Sequence, residues 1–349
     1  MPEAVFLDTQ VFEAASFNFK TVFFVALQKR LDSGGLELVI TDITVREVHA
    51  RIRNAVHEEL QLHARFREKA RAVRSSLSPA VASTLTELDA DSIVQELRQA
   101  FDAFLAENDA EVVEATTAGS AAVFERYFTA TPPFGSAKHK KNEFPDAFVI
   151  EALAQWAKSS GKRLFVVSGD ELFRTSCAER EGLKAEVDLA AVLDQVIDDE
   201  EQAEFIRAEL VKRADSIAET VKSTFEGLGF HVQDEWGDVE MTVTSIALDE
   251  EPEILDVERT SATVQLTFRA EYSADLSYDD SSTGIYDSED DRQLFMDHVN
   301  ETVTGDTYLV AQVYVRLDGM KPQSFQVQNI DLVDPVRGFG ISTSKAADY

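Results

Sequence analysis

Two hydrophobic periods divide this chain. As far as about residue 195, short apolar runs alternate with segments of helical period. Ala4 to Leu7, Leu36 to Ile40 and Leu164 to Ser168 are apolar stretches too short for helices and bounded by turn residues, which is the pattern of buried parallel strands. Between them a helix is expected through Phe12 to Leu31, ended by Gly34-Gly35. A second starts at Thr41 or Asp42 and reaches toward Ser75, with Val45, Val48, Ile52, Val56, Leu60 and Phe66 on one side and arginines on the other. Residues 78–127 read as mostly polar helix, with Phe101 and Phe104 among the core-spaced positions. A helix from Asp146 to Lys158 opens on Pro145 and stops at Ser159-Ser160-Gly161. A further helix after Phe173 and a strand near Lys184 to Val187 complete this half. Next comes one long helix to about Leu228, its first turn acidic through Asp198-Asp199-Glu200-Glu201. Beyond it the period becomes two: Val239 to Ala247, Ala262 to Tyr272, Thr307 to Leu317 and Phe325 to Leu332 alternate as half-buried antiparallel strands do.

The expected architecture is therefore an α/β domain over residues 1–195, a parallel sheet flanked by helices with a helical insertion at about 55–128. A connecting helix over 196–230 leads to an α+β domain with an antiparallel sheet over 231–349. At 349 residues the chain is long enough for two cores.

Charge changes this picture in one respect. The formal net charge is -31, yet residues 1–195 hold 22 Lys and Arg against 30 acids, while 196–349 hold 11 against 34. Arg46 to Arg74 carries eight basic residues against four Glu, so a polyanion can be held there although the molecule as a whole is acidic. The single Cys177 excludes an intrachain disulfide, and no Cys/His spacing suits structural zinc; His49, His57 and His63 fit no zinc-protease spacing. MPEAVFLD is not a signal peptide and the longest apolar run is too short for a bilayer, so no membrane partner is expected and the cytoplasm is the expected compartment.

The candidate chemistry is acidic. Asp8 follows the first strand, Glu47 lies in the second turn of the long helix, Asp146 opens its helix, and Asp170 follows Ser168-Gly169 at a strand end. Alone, each has a plain structural role: Asp8 as a turn or cap residue, Glu47 as a surface partner of Arg51. Together they crowd the carboxyl edge of a parallel sheet, where sites in such folds are built. Two carboxylates about 5 Å apart repel by roughly 3 kcal/mol at an effective dielectric near 20, so they need a proton, a base or a metal. Lys138, Lys140 and Lys141 stand just before Glu143 and Asp146, as cations beside a phosphate site would. The acidic stretch Tyr278 to Asp291 only loosely echoes a calcium loop and is read as a surface loop.

VFLDTQ, TDITVREV, NEFPDAFVIEAL and VVSGDELF, in this order and these contexts, resemble the PIN-domain nuclease family over roughly residues 3–195. The NEFPDA wording and the helical insertion are similar to a bacterial PIN-like branch associated with toxin or defence settings. The resemblance implies an acidic tetrad of Asp8, Glu47, Asp146 and Asp170, with Glu143 as an additional metal carboxylate and Thr9 and Ser168 as hydroxyls supporting it. Gln10 departs from the family, which commonly has Ser or Asn there.

The function so implied is metal-dependent hydrolysis of phosphodiester bonds, with one or two Mg²⁺ or Mn²⁺ ions as cofactor and single-stranded RNA as substrate. Arg51, Arg53, Lys138, Lys140 and Lys141 are the candidate phosphate-holding residues. Phe134 and Phe144 are candidate stacking surfaces, with Phe144 more suited to a core. The alternative is a non-catalytic PIN-like module that binds RNA or protein. A homo-oligomer or a regulatory protein partner stays open, as do RNA against DNA, Mg against Mn, cleavage specificity and the role of the acidic second domain. An aspartate-based phosphatase would want a second Asp at Gln10, and a receiver domain a lysine near Val167; neither is present.

Overall fold

The computed structural model describes residues 3–70, 85–86, 88–115, 119–134, 143–197, 200–233, 235–287, 292–317, 325–333 and 339–344. The chain forms two units, Met1–Val196 and Ile197–Tyr349.

In the first unit the apolar runs become β1 (Glu3–Leu7), β2 (Glu37–Thr41), β4 (Arg163–Val167) and β5 (Leu183–Glu186), all parallel. A short edge strand, β3 (Glu111–Val113), extends the sheet, giving the order β3-β2-β1-β4-β5. The region expected as a helical insertion thus contributes to the sheet itself. Three residues with two exposed side chains left no apolar signal there.

The helices are α1 (Thr9–Ala14), α2 (Val22–Asp32), α3 (Asp42–Lys69), α4 (Ala90–Glu107), α5 (Ser120–Thr129), α6 (Phe144–Ser160), α7 (Glu171–Ala178) and α8 (Leu189–Gln195). The single helix expected over Phe12 to Leu31 is two, because Ser16 and Phe17 adopt left-handed backbone conformations. Burial of the Phe17 ring, 7% exposed, holds that break. α3 ends at Lys69, short of Ser75, and residues 71–84 lie outside the described set. Both faces of the sheet are covered. Phe6, Val39, Leu164 and Val166 pack with Val149, Ile150, Leu153 and Trp156 of α6. Elsewhere in the unit, Phe12, Phe19, Phe24, Phe101 and Phe104 form an aromatic cluster with centroid separations of 4.7–6.5 Å.

The second unit is built on an antiparallel sheet. β7 (Trp236–Leu248), β9 (Ser261–Asp280), β12 (Asp297–Leu317) and β13 (Phe325–Leu332) lie in the order β13-β12-β9-β7, with β8 (Glu253–Val257) also paired to β9. The connecting helix expected over 196–230 is instead two helices, α9 (Glu200–Lys212) and α10 (Ala214–Glu226). Their Ala203, Ile206, Leu210, Ile217, Val221 and Phe225 are buried with Val264, Leu266, Phe268 and Val313 of the sheet, so they belong to its core. β6 (Phe230–Val232) pairs parallel with β14 (Phe339–Ile341); β10 (Ile285–Asp287) and β11 (Arg292–Leu294) form a small hairpin. Within the stretch expected as an acidic loop, β9 runs on to Asp280, whose carboxylate accepts from the Ser282 N–H and hydroxyl in a tight turn. Among the described residues no helix is long and apolar enough to cross a membrane.

Candidate active site

The order of the parallel sheet reverses between β1 and β4, and a crevice at such a switch point lies outside the carboxyl ends of those strands. Asp8 and Asp170 follow these two ends. The Asp8 N–H continues the ladder by donating to Val167 O (2.9 Å), which fixes where its side chain starts. One Asp8 oxygen caps α1 by accepting the Thr9 N–H (2.7 Å); the other accepts the Ser168 hydroxyl (2.7 Å). Ser168 is fully buried, and its oxygen also accepts the Asp170 N–H (3.1 Å). Asp170 caps α7 by accepting the Phe173 N–H (2.8 Å). One hydroxyl therefore sets the positions of two acids.

Glu47 reaches the same place from α3. That helix starts at Thr41, whose buried hydroxyl accepts the Thr44 N–H (3.1 Å), so the register of the first two turns is fixed. The Thr9 hydroxyl donates to Glu47 Oε2 (3.2 Å) and joins the start of α1 to α3. Asp146 comes from the first turn of α6, where Pro145 opens the helix.

These four groups feel one another. The pKa of Asp146 is raised to about 8, first by burial and then by the charges of Asp8, Glu47, Glu143 and Asp170. Burial also raises Asp8, opposed by its bonds from Ser168 and Thr9 and assisted by Asp170 and Glu13. Glu47 is raised by burial and by Asp8, opposed by the Thr9 bond and by Arg51. Among the described residues no group of three or more His, Cys, Asp or Glu side chains is placed to hold a metal ion. The candidate donors are all half-buried carboxylate oxygens, a chemistry that suits a hard divalent cation and neither zinc nor copper.

The phosphate-holding candidates are not all placed together. Arg51 lies beside Glu47 electrostatically and pairs with Glu13 (3.6 Å). Arg53, six residues on from Glu47, is exposed on another side of α3. Lys138, Lys140 and Lys141 lie outside the described residues. Glu143, the additional carboxylate, precedes α6 and acts on Asp146 through charge. Phe134 is not a stacking surface: it is 1% exposed, closed in by Tyr127 and Phe144. Phe144 does reach open space, lining a cleft of about 460 Å³ with Ile43, Arg46, Glu47, Ala50, Pro145 and Phe148.

The sequence reading passed over that cleft. Its signal was a helical repeat, Ile43, Glu47 and Ala50 on one helix and Phe144 and Phe148 on another, which by itself is indistinguishable from core spacing. It also passed over Glu13, which pairs with Arg51 and acts on Asp8. Gln10, the departure from the expected pattern, lies against Gly169: a Cβ there would meet its Oε1 at 2.7 Å. The glycine between Ser168 and Asp170 makes room for that longer side chain.

Residues 5–173 match the family model described as PIN domain. The first unit belongs to the PIN-domain family. No curated protein and no solved structure matches the chain. PIN domains are domains of nuclease type; of the four acids that the resemblance implied, Asp8 and Asp170 follow the strand ends at the switch point, and Glu47 and Asp146 interact with Asp8 through charge.

Proposed function

We propose that this PIN domain is a Mg²⁺- or Mn²⁺-dependent endoribonuclease that hydrolyses phosphodiester bonds of single-stranded RNA, working in the cytoplasm. The observation that carries the reading is the hydrogen-bonded run that links Glu47, Thr9, Asp8, Ser168 and Asp170, with the buried Asp146 close enough to feel the charges of these acids. Such an arrangement costs stability unless something positive enters it.

Asp8, Glu47, Asp146 and Asp170 would hold the ion or ions, with Glu143 beside them. When bound, the metal lowers the pKa of an attacking water and neutralises charge on the phosphate. The chain supplies the positioning. The Ser168 hydroxyl and Thr9 N–H orient Asp8 and favour its ionised form against burial, the Thr9 hydroxyl does the same for Glu47, and the Phe173 N–H fixes Asp170. Arg51 and the basic stretch holding Lys138, Lys140 and Lys141 would retain flanking phosphates, so binding should weaken steeply with salt. The toxin or defence setting rests on the likeness of NEFPDA to the bacterial branch.

The test is cleavage of end-labelled single-stranded RNA and DNA by the wild type and by Asp146→Asn, with Mg²⁺, Mn²⁺ or chelator. Metal-dependent cutting of RNA that disappears in the variant is the expected result. Equal background in both proteins with either metal would leave a non-catalytic RNA- or protein-binding module.

A further inference from the structure

The exposed face of α5 carries two aromatic rings, Phe128 at 78% and Phe124 at 47% exposure. Their centroids are 6.4 Å apart and nearly parallel, with 27° between the planes. Phe124 lies 5.7 Å from Phe144, which lines the open cleft together with Glu47. Three rings thus lead stepwise from the tip of α5 to a carboxylate of the acidic site. The floor beneath them is packed: Phe134, Val123 and Ala147 are each 1% exposed, with Tyr127 4.9 Å from Phe144. An exposed pair of rings continuous with an open cleft is the kind of apolar patch that marks a binding surface.

From these contacts we infer that Phe128, Phe124 and Phe144 form a stacking ladder for the bases of an unpaired nucleic-acid strand, delivering its backbone to the tetrad. The inference rests on the nuclease reading and adds to it the path of the substrate. Two observations select this occupant. The ladder is continuous with the site, since Glu47 serves both the cleft and the tetrad. The cation in the cleft is Arg46, 74% exposed and tied to Asp42 at 3.3 Å, which leaves its side chain in the position of a phosphate or base partner at the ladder's inner end. Ring spacings of 5.7–6.4 Å exceed the ~3.4 Å rise of stacked duplex bases, so the ladder fits bases splayed singly onto separate rings.

The experiment uses the full chain carrying Asp146→Asn to silence cleavage, and a fluorescein-labelled oligouridylate with its abasic counterpart. Against this background Phe128→Ala and the Phe124→Ala/Phe128→Ala pair are compared with Phe295→Ala, a ring 82% exposed in the second unit. Each ladder substitution is expected to weaken oligouridylate binding about 5-fold or more, with Phe128→Trp restoring it and Phe295→Ala unchanged. The abasic strand should bind the parent as weakly as the paired variant binds the normal strand. Affinity equal to that of Phe295→Ala overturns the ladder, as does failure of the parent to bind any single strand. A fall in molecular mass by light scattering with unchanged affinity would also overturn it, making the face a contact between copies of this chain. Metal-dependent cutting by a wild type whose ladder variants bind normally removes the ladder alone. Base-dependent binding without any cutting removes the catalytic reading and leaves the ladder standing.

Discussion

Ser168 donates a 2.7 Å hydrogen bond to Asp8 across 160 residues of chain, joining the carboxyl ends of two adjacent parallel strands. The same oxygen accepts the Asp170 N–H, so a single buried hydroxyl holds two of the four acids in register.

Ser168→Ala should therefore act on metal affinity before it acts on chemistry. Asp8 would lose the bond that most opposes its protonation and would be harder to ionise. Losing such a support costs about 10- to 100-fold in metal affinity. Cleavage measured against Mn²⁺ concentration should shift to higher metal, with the maximal rate largely recovered at saturation. A variant with normal metal dependence and a lower maximum would mean that Ser168 does something other than position Asp8.

The metal-free protein should lose stability as pH rises. Asp146 titrates near 3.8 when unperturbed and near 8 in the fold. Between those values the folded state keeps a proton that the unfolded chain has released, so this group's contribution is complete below about 3.8 and gone once the pH passes about 8. Thermal melts in chelator should fall across that window, and Asp146→Asn should flatten the slope. Adding Mn²⁺ at 100 times its dissociation constant should return about 2.7 kcal/mol at the alkaline end, and little in Asp146→Asn. Melting temperatures that rise with pH in chelator would contradict the crowded-carboxylate account.

Cys177 offers a check on the same packing from below. It lies on α7, fully buried in the core shared with α6, and burial pushes its thiol up to about 12. Iodoacetamide at neutral pH should leave it untouched in the native protein and modify it only at the rate at which the first unit opens. Rapid alkylation without denaturant would show that this core breathes.

Much of the first unit was legible because a parallel sheet buried on both faces writes itself as short apolar runs. Ala4 to Leu7 and Leu164 to Val167 are buried throughout, and a run of that length has no other stable use. Asp8, Asp146 and Asp170 stood out because each adjoins such a run or a proline-opened helix. The rest was hidden for reasons of length and context. β3 is three residues long and carries no period. The turn at Ser16 and Phe17 depends on where the Phe17 ring is buried, which no local pattern records. Phe124 and Phe128 share helical spacing with true core residues such as Phe101 and Phe104, and only tertiary structure separates the two pairs.

The two helices after residue 197 make a prediction about where the chain can be cut. Leu210, Val221 and Phe225 are buried against Val264, Leu266 and Phe268, so the helices complete the sheet's hydrophobic face and do not merely tether it. A fragment of residues 197–349 should melt cooperatively, whereas one beginning at residue 230 exposes that face and should aggregate or bind hydrophobic dye. Phe225→Ala tests the same packing at one position: a fully enclosed ring in contact range of Phe230 and Phe339, 5.5 and 5.3 Å between centroids, should cost about 3–5 kcal/mol. Denaturant melts of the two fragments decide the matter. A cooperative transition in the shorter fragment, with the stability of the longer one, would return the helices to the role of a connector.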